Sequence, residues 1–333
     1  MAVRREKKRV NLRDVARAAD VSVATVSRVL NAPQVVQQGT RDRVLQAIDT
    51  LGFHPSAAAR AINSGRTRIL GALIPTLDNA IFASTIEAIE KRLGDFGYSL
   101  VVATTSGDPG QELRRARELL DIGVEGFFLS GITHDDALVA LLENRDVPII
   151  AISHFDPCYR YPTVGYDNRQ AAQKALEHLV AQGHRSIAVL HGSPDFDDRT
   201  RARLDGTRTD APDVRLHYTQ ATELSASGGT DAAIEVLDSG RPIDAFLCLS
   251  DILAIGVLFE LQRRNIKVPH QVAVMGIHDL PIAASVAPRL STVRLPARQM
   301  GSHAAEALAF WLDEDIRPEP KCFETTLIQR ETT

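Results

Sequence analysis

Residues 11–31 of this 333-residue chain read NLRDVARAADVSVATVSRVLN, a pattern that predicts two short helices joined by a tight turn. Asn11 can accept hydrogen bonds at the start of the first helix, and Asp14 three residues later completes a capping box. Ser22 can cap the second helix, which we expect over Val23 to Leu30. Two short helices in this arrangement form a helix-turn-helix.

A third helix follows, and its apolar spacing predicts that it closes a small core with the first two. Thr40 is the predicted N-cap, and Gly52 supplies a left-handed residue at the C-terminal end. The predicted buried stripe consists of Val44, Leu45, Ile48 and Leu51. We therefore expect residues 1–54 to form an all-α helix-turn-helix domain.

The charge of the chain is divided unevenly along its length. Residues 1–67 carry twelve Lys and Arg against five Asp and Glu, a net charge of +7, whereas the remainder carries 26 against 37, a net charge of −11. A basic head on an acidic body suits a protein that binds the phosphate backbone of double-stranded DNA, because cations near the duplex release condensed counterions. Charge alone leaves a solvated basic tail open as the alternative.

The outward face of the second helix carries residue types that read the grooves of DNA. An arginine can donate to guanine, small apolar side chains can contact thymine methyl groups, and hydroxyls and amides can hold phosphates. The candidate DNA-binding residues of this face are Ser22, Val23, Ala24, Thr25, Ser27, Arg28 and Asn31. An ordinary solvent-exposed helix surface is the competing interpretation.

Residues 55–67 are predicted to form a hinge helix and linker, rich in small residues around one large apolar side chain, Ile62. So short a helix is marginal in water, so we expect it to fold only where a DNA minor groove buries it, with Ile62 as a wedge at a base step. A plain Ala-rich linker is the alternative. The candidate minor-groove contacts are Ser56, Ala57, Ala61 and Ile62.

Residues 68–333 alternate short β-rich runs with helical patterns, which predicts an α/β fold of two parallel sheets covered by helices. A ligand is then expected in the cleft between two lobes, beyond the carboxyl ends of the strands. The chain has no phosphate-binding loop, no nucleophile elbow and no zinc-protease motif, so we expect no enzyme, no catalytic residue and no cofactor.

The location of the protein is predicted from what the sequence lacks. Cys158, Cys248 and Cys322 are too few for a disulfide framework and too scattered for a metal site, so we expect no metal. No apolar segment follows the basic N-terminus, and no apolar stretch is long enough to span a membrane. These observations favour a cytoplasmic protein over an exported binding protein of the same fold.

Three segments of the head carry a resemblance to a known family: Leu12–Ala16, Val21–Asn31 and Gly52–Arg60. They resemble the DNA-binding signature and hinge of the lactose-repressor (LacI/GalR) family of bacterial transcription regulators, and the similarity continues to the C-terminus. The resemblance implies a homodimer that binds a palindromic operator and a small-molecule effector. It also implies a periplasmic-binding-protein-like core, with an N-lobe at about 68–163 and 296–323 and a C-lobe at about 164–295 and 324–333.

By the same resemblance, the candidate effector contacts are Thr76, Asn79, Phe82, His134, Arg199, Arg203, Ser250, Asp251 and His278. Sugar-binding relatives usually carry an Asp where this chain has His278, and an imidazole can donate hydrogen bonds or become cationic beside an anion. This donor set resembles the gluconate-repressor branch and implies a sugar acid such as gluconate or ketogluconate, with a neutral sugar as the alternative. Arg199 can instead pair with Asp197 or Asp198, and His134 can cap a helix.

Overall fold

The computed structural model describes residues 10–31, 33–53, 65–195 and 197–333. The chain divides into two units, Met1–Arg68 and Ile69–Thr333, each with its own core. The predicted hinge contacts Ser56, Ala57, Ala61 and Ile62 lie outside the described residues, and so does the side chain of Asn31.

The first unit is built from three helices, α1 Leu12–Ala18, α2 Val23–Asn31 and α3 Gln38–Leu51, with a 3-10 turn at Pro33–Val35. The predicted capping box of α1 is confirmed, since the Asn11 side chain accepts from the Asp14 amide and the Asp14 carboxylate accepts from the Asn11 amide. This satisfies donors that the first turn of a helix leaves without a partner.

The third helix differs from its prediction at two points. It begins at Gln38 rather than after Thr40, and its N-cap, Gln37, makes no side-chain capping bond, so no capping residue marked the start. Leu45 is 45% exposed, and Ala47 is buried in its place. The reason is helical spacing: Ala47 follows Val44 by three residues and shares its face, whereas Leu45 lies about 100° around the helix. Gly52 does end the helix in the left-handed conformation, with φ at 59°.

The second unit contains two six-stranded sheets, which confirms the predicted α/β fold. In the first sheet, the strand order is β11-β5-β4-β3-β1-β2, and every pairing is parallel. Its strands are β1 Ile69–Ile74, β2 Ser99–Thr104, β3 Phe127–Ser130, β4 Ile149–Ile152, β5 Thr163–Tyr166 and β11 Lys321–Phe323. The helices in sequence with them are α4 Ala80–Asp95, α5 Pro109–Asp121, α6 Asp136–Glu143 and α11 Ala297–Glu314. We call this part the first lobe.

The second sheet has the order β12-β10-β9-β8-β6-β7 and is parallel except for β12, which pairs antiparallel with β10. Its strands are β6 Ser186–His191, β7 Arg215–Gln220, β8 Ala245–Cys248, β9 Ala273–His278, β10 Ser291–Arg294 and β12 Thr326–Ile328. Its helices are α7 Asn168–Ala181, α8 Asp198–Gly206, α9 Ala226–Asp238 and α10 Asp251–Arg263, with a 3-10 turn at Pro281–Ala284. We call this part the second lobe.

The chain passes between the two sheets three times: after β5, between β10 and α11, and between β11 and β12. The carboxyl ends of β1, β3, β6 and β8, with the loops that follow them, face a common cleft, as is usual for ligand sites in parallel sheets. Across the described residues, every helix is too short or too polar to cross a membrane.

Candidate functional site

The exposed face of α2 in the first unit carries the predicted DNA-reading residues. Val23 is 41% exposed, and Ser22, Ala24 and Arg28 are exposed as well, while Val26 on the other side is fully buried. Thr25 and Ser27 lie half-buried at the edges of this face. The Ser22 hydroxyl accepts from the Thr25 amide at 3.1 Å, as the predicted cap requires. The exposed part of this face therefore presents small polar and apolar side chains around one arginine, as a groove-binding helix does.

A cleft of about 440 Å³ lies between the two lobes of the second unit, a volume typical of small-molecule sites. Thr76 and Phe82 line it from the first lobe, and Arg199 lines it from the second. A narrow extension of about 40 Å³ continues from it. The predicted residues that line this extension are Asn79, Phe82, Arg199, Arg203, Ser250 and His278. The fold thus brings together residues that are distant in the sequence.

Arg203 is buried in the extension, and its hydrogen-bond partners are uncharged. Its Nε donates to Oδ1 of Asn168 at 3.0 Å, and its Nη1 donates to the carbonyl of Leu249 at 2.9 Å. The same Nη1 lies 3.0 Å from Nε2 of His278. Burial lowers the pKa of Arg203 from its ordinary value of 12.5. The guanidinium nevertheless remains a cation, because arginine does not lose its proton in proteins near neutral pH.

The sequence suggests that His278 can donate hydrogen bonds or become cationic beside an anion, but its neighbour in the structure is the cation Arg203. Burial, and then the charge of Arg203, hold its pKa well below the usual 6.5. An arginine can only donate, so the ring nitrogen facing Arg203 must accept. The expectation is therefore corrected: His278 is a neutral hydrogen-bond acceptor for Arg203.

Arg199 is also buried, but two carboxylates lie close to it. Its Nε donates to Oδ1 of Asp197 at 2.9 Å and lies 3.8 Å from Oδ1 of Asp198, the pairing that the sequence left open. Its Nη1 donates across the cleft to the hydroxyl of Ser130 at 2.7 Å. Although burial alone would raise the pKa of Asp197, the charge of Arg199 and a hydrogen bond from Thr200 lower it to about 2. Asp197 is thus a carboxylate at all ordinary pH values.

Two predicted effector contacts do not line the cleft. The His134 side chain is 1% exposed, with Nδ1 at 3.0 Å from both oxygens of Glu112, so it forms a buried pair within the first lobe. Asp251 accepts hydrogen bonds from the Leu280 amide at 2.8 Å and the Thr292 hydroxyl at 2.6 Å. These bonds tie the start of α10 to neighbouring loops and strands rather than to the cleft.

The sequence analysis missed an acidic rim around the cleft. The rim consists of Asp108, Glu112, Asp195 and Asp197, with hydroxyl groups from Thr76, Thr105, Thr133, Ser193 and Thr222 beside it. Most of these residues lie within two positions of the carboxyl end of a strand or cap a helix, so their place near strand ends was the available signal.

Two family comparisons cover most of the chain. Residues 11–56 match the family described as bacterial regulatory proteins, lacI family, and residues 176–333 match the periplasmic binding protein-like domain. The HTH-type transcriptional regulator GntR of Escherichia coli K12 is 33% identical over 309 residues, which are 91% of this chain and 92% of that relative.

Solved structures agree with this similarity. A LacI-family transcriptional regulator from Silicibacter pomeroyi superposes with a TM-score of 0.87 at 26% identity, over 97% of this chain and 99% of that one. The transcription regulator GntR from Chromobacterium violaceum gives a TM-score of 0.71 at 30% identity, over 79% of this chain and 98% of that one. The likeness therefore covers both units in sequence and in fold.

Proposed function

This chain belongs to the LacI family of bacterial regulatory proteins and is a DNA-binding transcriptional regulator, not an enzyme, and on this premise we propose that its effector is a sugar acid. The effector is of the gluconate or ketogluconate type and binds in the cleft between the two lobes.

One observation carries this proposal: Arg203 is a buried cation held only by neutral groups. Among the described residues, no carboxylate forms an ion pair with it. Burying a charge without a counter-charge costs free energy, and a ligand carboxylate in the extension would supply the missing partner. A neutral sugar would leave that cost in place.

Arg199 adds a second cation to the same extension. It precedes Arg203 by four residues on α8, so the two side chains project from one face of the helix. Nε and Nη1 of Arg203 are already occupied, which rules out the two-pronged fork of a single arginine. In the part of the chain that the structure describes, Nη2 of each arginine has no hydrogen-bond partner. We propose that one carboxylate accepts from both.

The rest of the effector is expected to carry hydroxyl groups. The cleft beyond the extension has apolar side chains such as Leu73 and Leu224 in its wall, together with carboxylates and threonine and serine hydroxyls that can accept hydrogen bonds from a polyol chain. The acidic rim also favours the alternative effector, a neutral sugar, because carboxylates bind sugar hydroxyls without needing a ligand charge.

We further propose that the protein acts as a homodimer on a palindromic operator. In this proposal residues 1–54 read the major groove, with Ser22, Val23, Ala24, Thr25, Ser27, Arg28 and Asn31 at the DNA, and residues 55–67 form the hinge. The effector alters the arrangement of the lobes and thereby shifts the population between states of different operator affinity.

Titration calorimetry with gluconate, 2-ketogluconate and glucose tests the effector proposal. We expect the acids to bind at least about tenfold more tightly than glucose, since charge-assisted hydrogen bonds are roughly twice as strong as neutral ones. Arg203→Ala should abolish acid binding, whereas Arg208→Ala, whose side chain is 80% exposed, should bind as wild type.

The opposite results would contradict the proposal. If glucose binds as tightly as gluconate, the acidic rim and not Arg203 determines the ligand. If the acids still bind to Arg203→Ala, the carboxylate lies elsewhere.

A further inference from the structure

We propose that His278 is a positioning residue that sets the charge of the ligand which the cleft accepts. Its uncharged ring nitrogen holds Arg203 in place without neutralising it, so the site prefers an anionic ligand. The inference rests on the proposed function, in which Arg203 contacts the acid group of the effector. It assigns His278 to act on the ligand through Arg203 rather than by direct contact.

The hydrogen bonds of His278 fix which ring nitrogen carries the proton. Nη1 of Arg203 lies 3.0 Å from Nε2, and a guanidinium cannot accept, so Nε2 must be without a proton. Nδ1 lies 3.3 Å from the Ser250 hydroxyl. The Ser250 side chain makes no capping bond to α10, so its oxygen is available to accept from Nδ1. The ring is therefore the neutral tautomer with its proton on Nδ1.

A second neutral acceptor of Arg203 is oriented in the same manner. Nδ2 of Asn168 donates to the carbonyl of Ser153 at 2.9 Å, which turns Oδ1 of the amide toward Nε of Arg203. With the Leu249 carbonyl as the third acceptor, the guanidinium is fixed in place without being neutralised. The carboxylate whose charge acts most strongly on Arg203 is that of Asp197, and it already accepts hydrogen bonds from Arg199 and Thr200.

The backbone at His278 is consistent with a residue selected for its side chain. Its φ is 129°, in the region that favours glycine, at the last residue of β9. Strained backbone of this kind persists where the surrounding structure holds it, and it clusters at functional sites. A residue whose only task was to end the strand would be a glycine.

Replacing this acceptor by a carboxylate would change the ligand preference. Asp at 278 would pair with Arg203 and neutralise it before any effector arrives, so an anionic ligand would gain little from the site. An uncharged acceptor of similar reach, the amide of Gln, would leave the positive charge exposed to the ligand.

The test compares gluconate with glucitol, which carries a CH₂OH group in place of the carboxylate and is otherwise the same chain. Calorimetry gives both dissociation constants for wild type, His278→Asp and His278→Gln. We expect the preference for gluconate over glucitol to fall at least about tenfold in His278→Asp and to stay within about threefold of wild type in His278→Gln. A general loosening of the site would weaken both ligands and leave the ratio unchanged.

A second measurement does not depend on a variant that folds. In ¹⁵N-histidine-labelled wild-type protein, the nitrogen shifts of His278 should report a protonated Nδ1 and a bare Nε2 at pH 7. A protonated Nε2 would overturn the proposal, and so would an unchanged ratio in His278→Asp or an equal loss in His278→Gln. If wild type itself shows no preference for gluconate over glucitol while the nitrogen shifts are as expected, the proposed effector class is wrong but the positioning of Arg203 stands.

Discussion

Asp251 is a buried carboxylate whose role is structural. It is fully buried and accepts hydrogen bonds from the Leu280 amide and the Thr292 hydroxyl, while burial raises its pKa to about 6. In the unfolded chain the pKa returns to the ordinary value near 3.8. The folded state therefore takes up the proton first, and the contribution of Asp251 to stability increases as the pH falls through 6.

This linkage predicts the behaviour of Asp251→Asn. An amide can still accept from the Leu280 amide and donate to Thr292, but it does not titrate. Between pH 7 and pH 5, wild type should gain roughly 1 kcal/mol of unfolding free energy relative to the variant. Urea unfolding of both proteins across this range measures the two unfolding free energies. In their difference, the contributions of all other titrating groups cancel. A difference that does not change with pH would mean that the carboxylate has an ordinary pKa.

The residues of the cleft show what a sequence can and cannot predict. Arg203 and His278 both line the extension of the cleft, where the resemblance implied them to be, since a resemblance carries strand-end positions from one chain to another. Their relationship was not predicted, because the guanidinium of Arg203, a donor 75 residues away, makes the ring nitrogen that faces it an acceptor. His134 was misplaced for a similar reason: its partner, Glu112, is 22 residues earlier and on a different element.

At the scale of elements, the first turn of α8 connects the two lobes. The Asp198 carboxylate accepts from the amides of Ile132 and Thr133, and Arg201 donates to the Thr133 hydroxyl at 2.7 Å. Ile132 and Thr133 lie in the loop after β3, on the first lobe, whereas Asp198 and Arg201 belong to α8 on the second lobe. Gly131 in that loop has φ at 91°, and a Cβ there would meet the Asp198 carboxylate at 2.5 Å.

The contact predicts that Gly131→Ala and Asp198→Ala are not additive. Each should lower the unfolding free energy by about 1–3 kcal/mol, the first through backbone strain and a clash, the second through the loss of two partly buried hydrogen bonds from backbone amides. The double variant should cost less than the sum, because the clash disappears with the carboxylate. Urea denaturation of the four proteins gives the coupling.

Gly131→Ala combined with Arg208→Ala is the matched control, since the exposed Arg208 side chain does not reach this loop. That pair should be additive within about 0.5 kcal/mol. Additivity in the Asp198 pair as well would show that the carboxylate and the glycine do not share an energetic contact.

Element boundaries followed the sequence where a side chain marks them. Asn11 with Asp14 starts α1, and Gly52 ends α3, because each makes a local bond or supplies a local backbone conformation. The start of α3 at Gln38 could not be predicted, since no side chain caps it, and the part of the helix that packs in the core of this unit begins only at Val44.

At the scale of the whole molecule, the two units carry opposite charge and separate tasks. The basic head contains the exposed α2 face, and the acidic body contains the cleft with its two buried arginines. A regulator needs the two tasks to be coupled, and thermodynamic linkage requires the coupling to act equally in both directions. If gluconate changes operator affinity by some factor, the operator must change gluconate affinity by the same factor.

This reciprocity gives the last prediction. With a palindromic operator obtained by selection from random DNA, fluorescence anisotropy should show that saturating gluconate shifts operator affinity about 5- to 150-fold, the range typical of coupled sites. Arg203→Ala should keep its operator affinity within about twofold of wild type but lose the response, because an acid that no longer binds the cleft cannot shift the population between the two states. Arg208→Ala should respond as wild type. A response that survives in Arg203→Ala would place the effector outside the cleft extension, and an operator affinity lost together with the response would make Arg203 a structural residue whose removal disturbs the whole molecule.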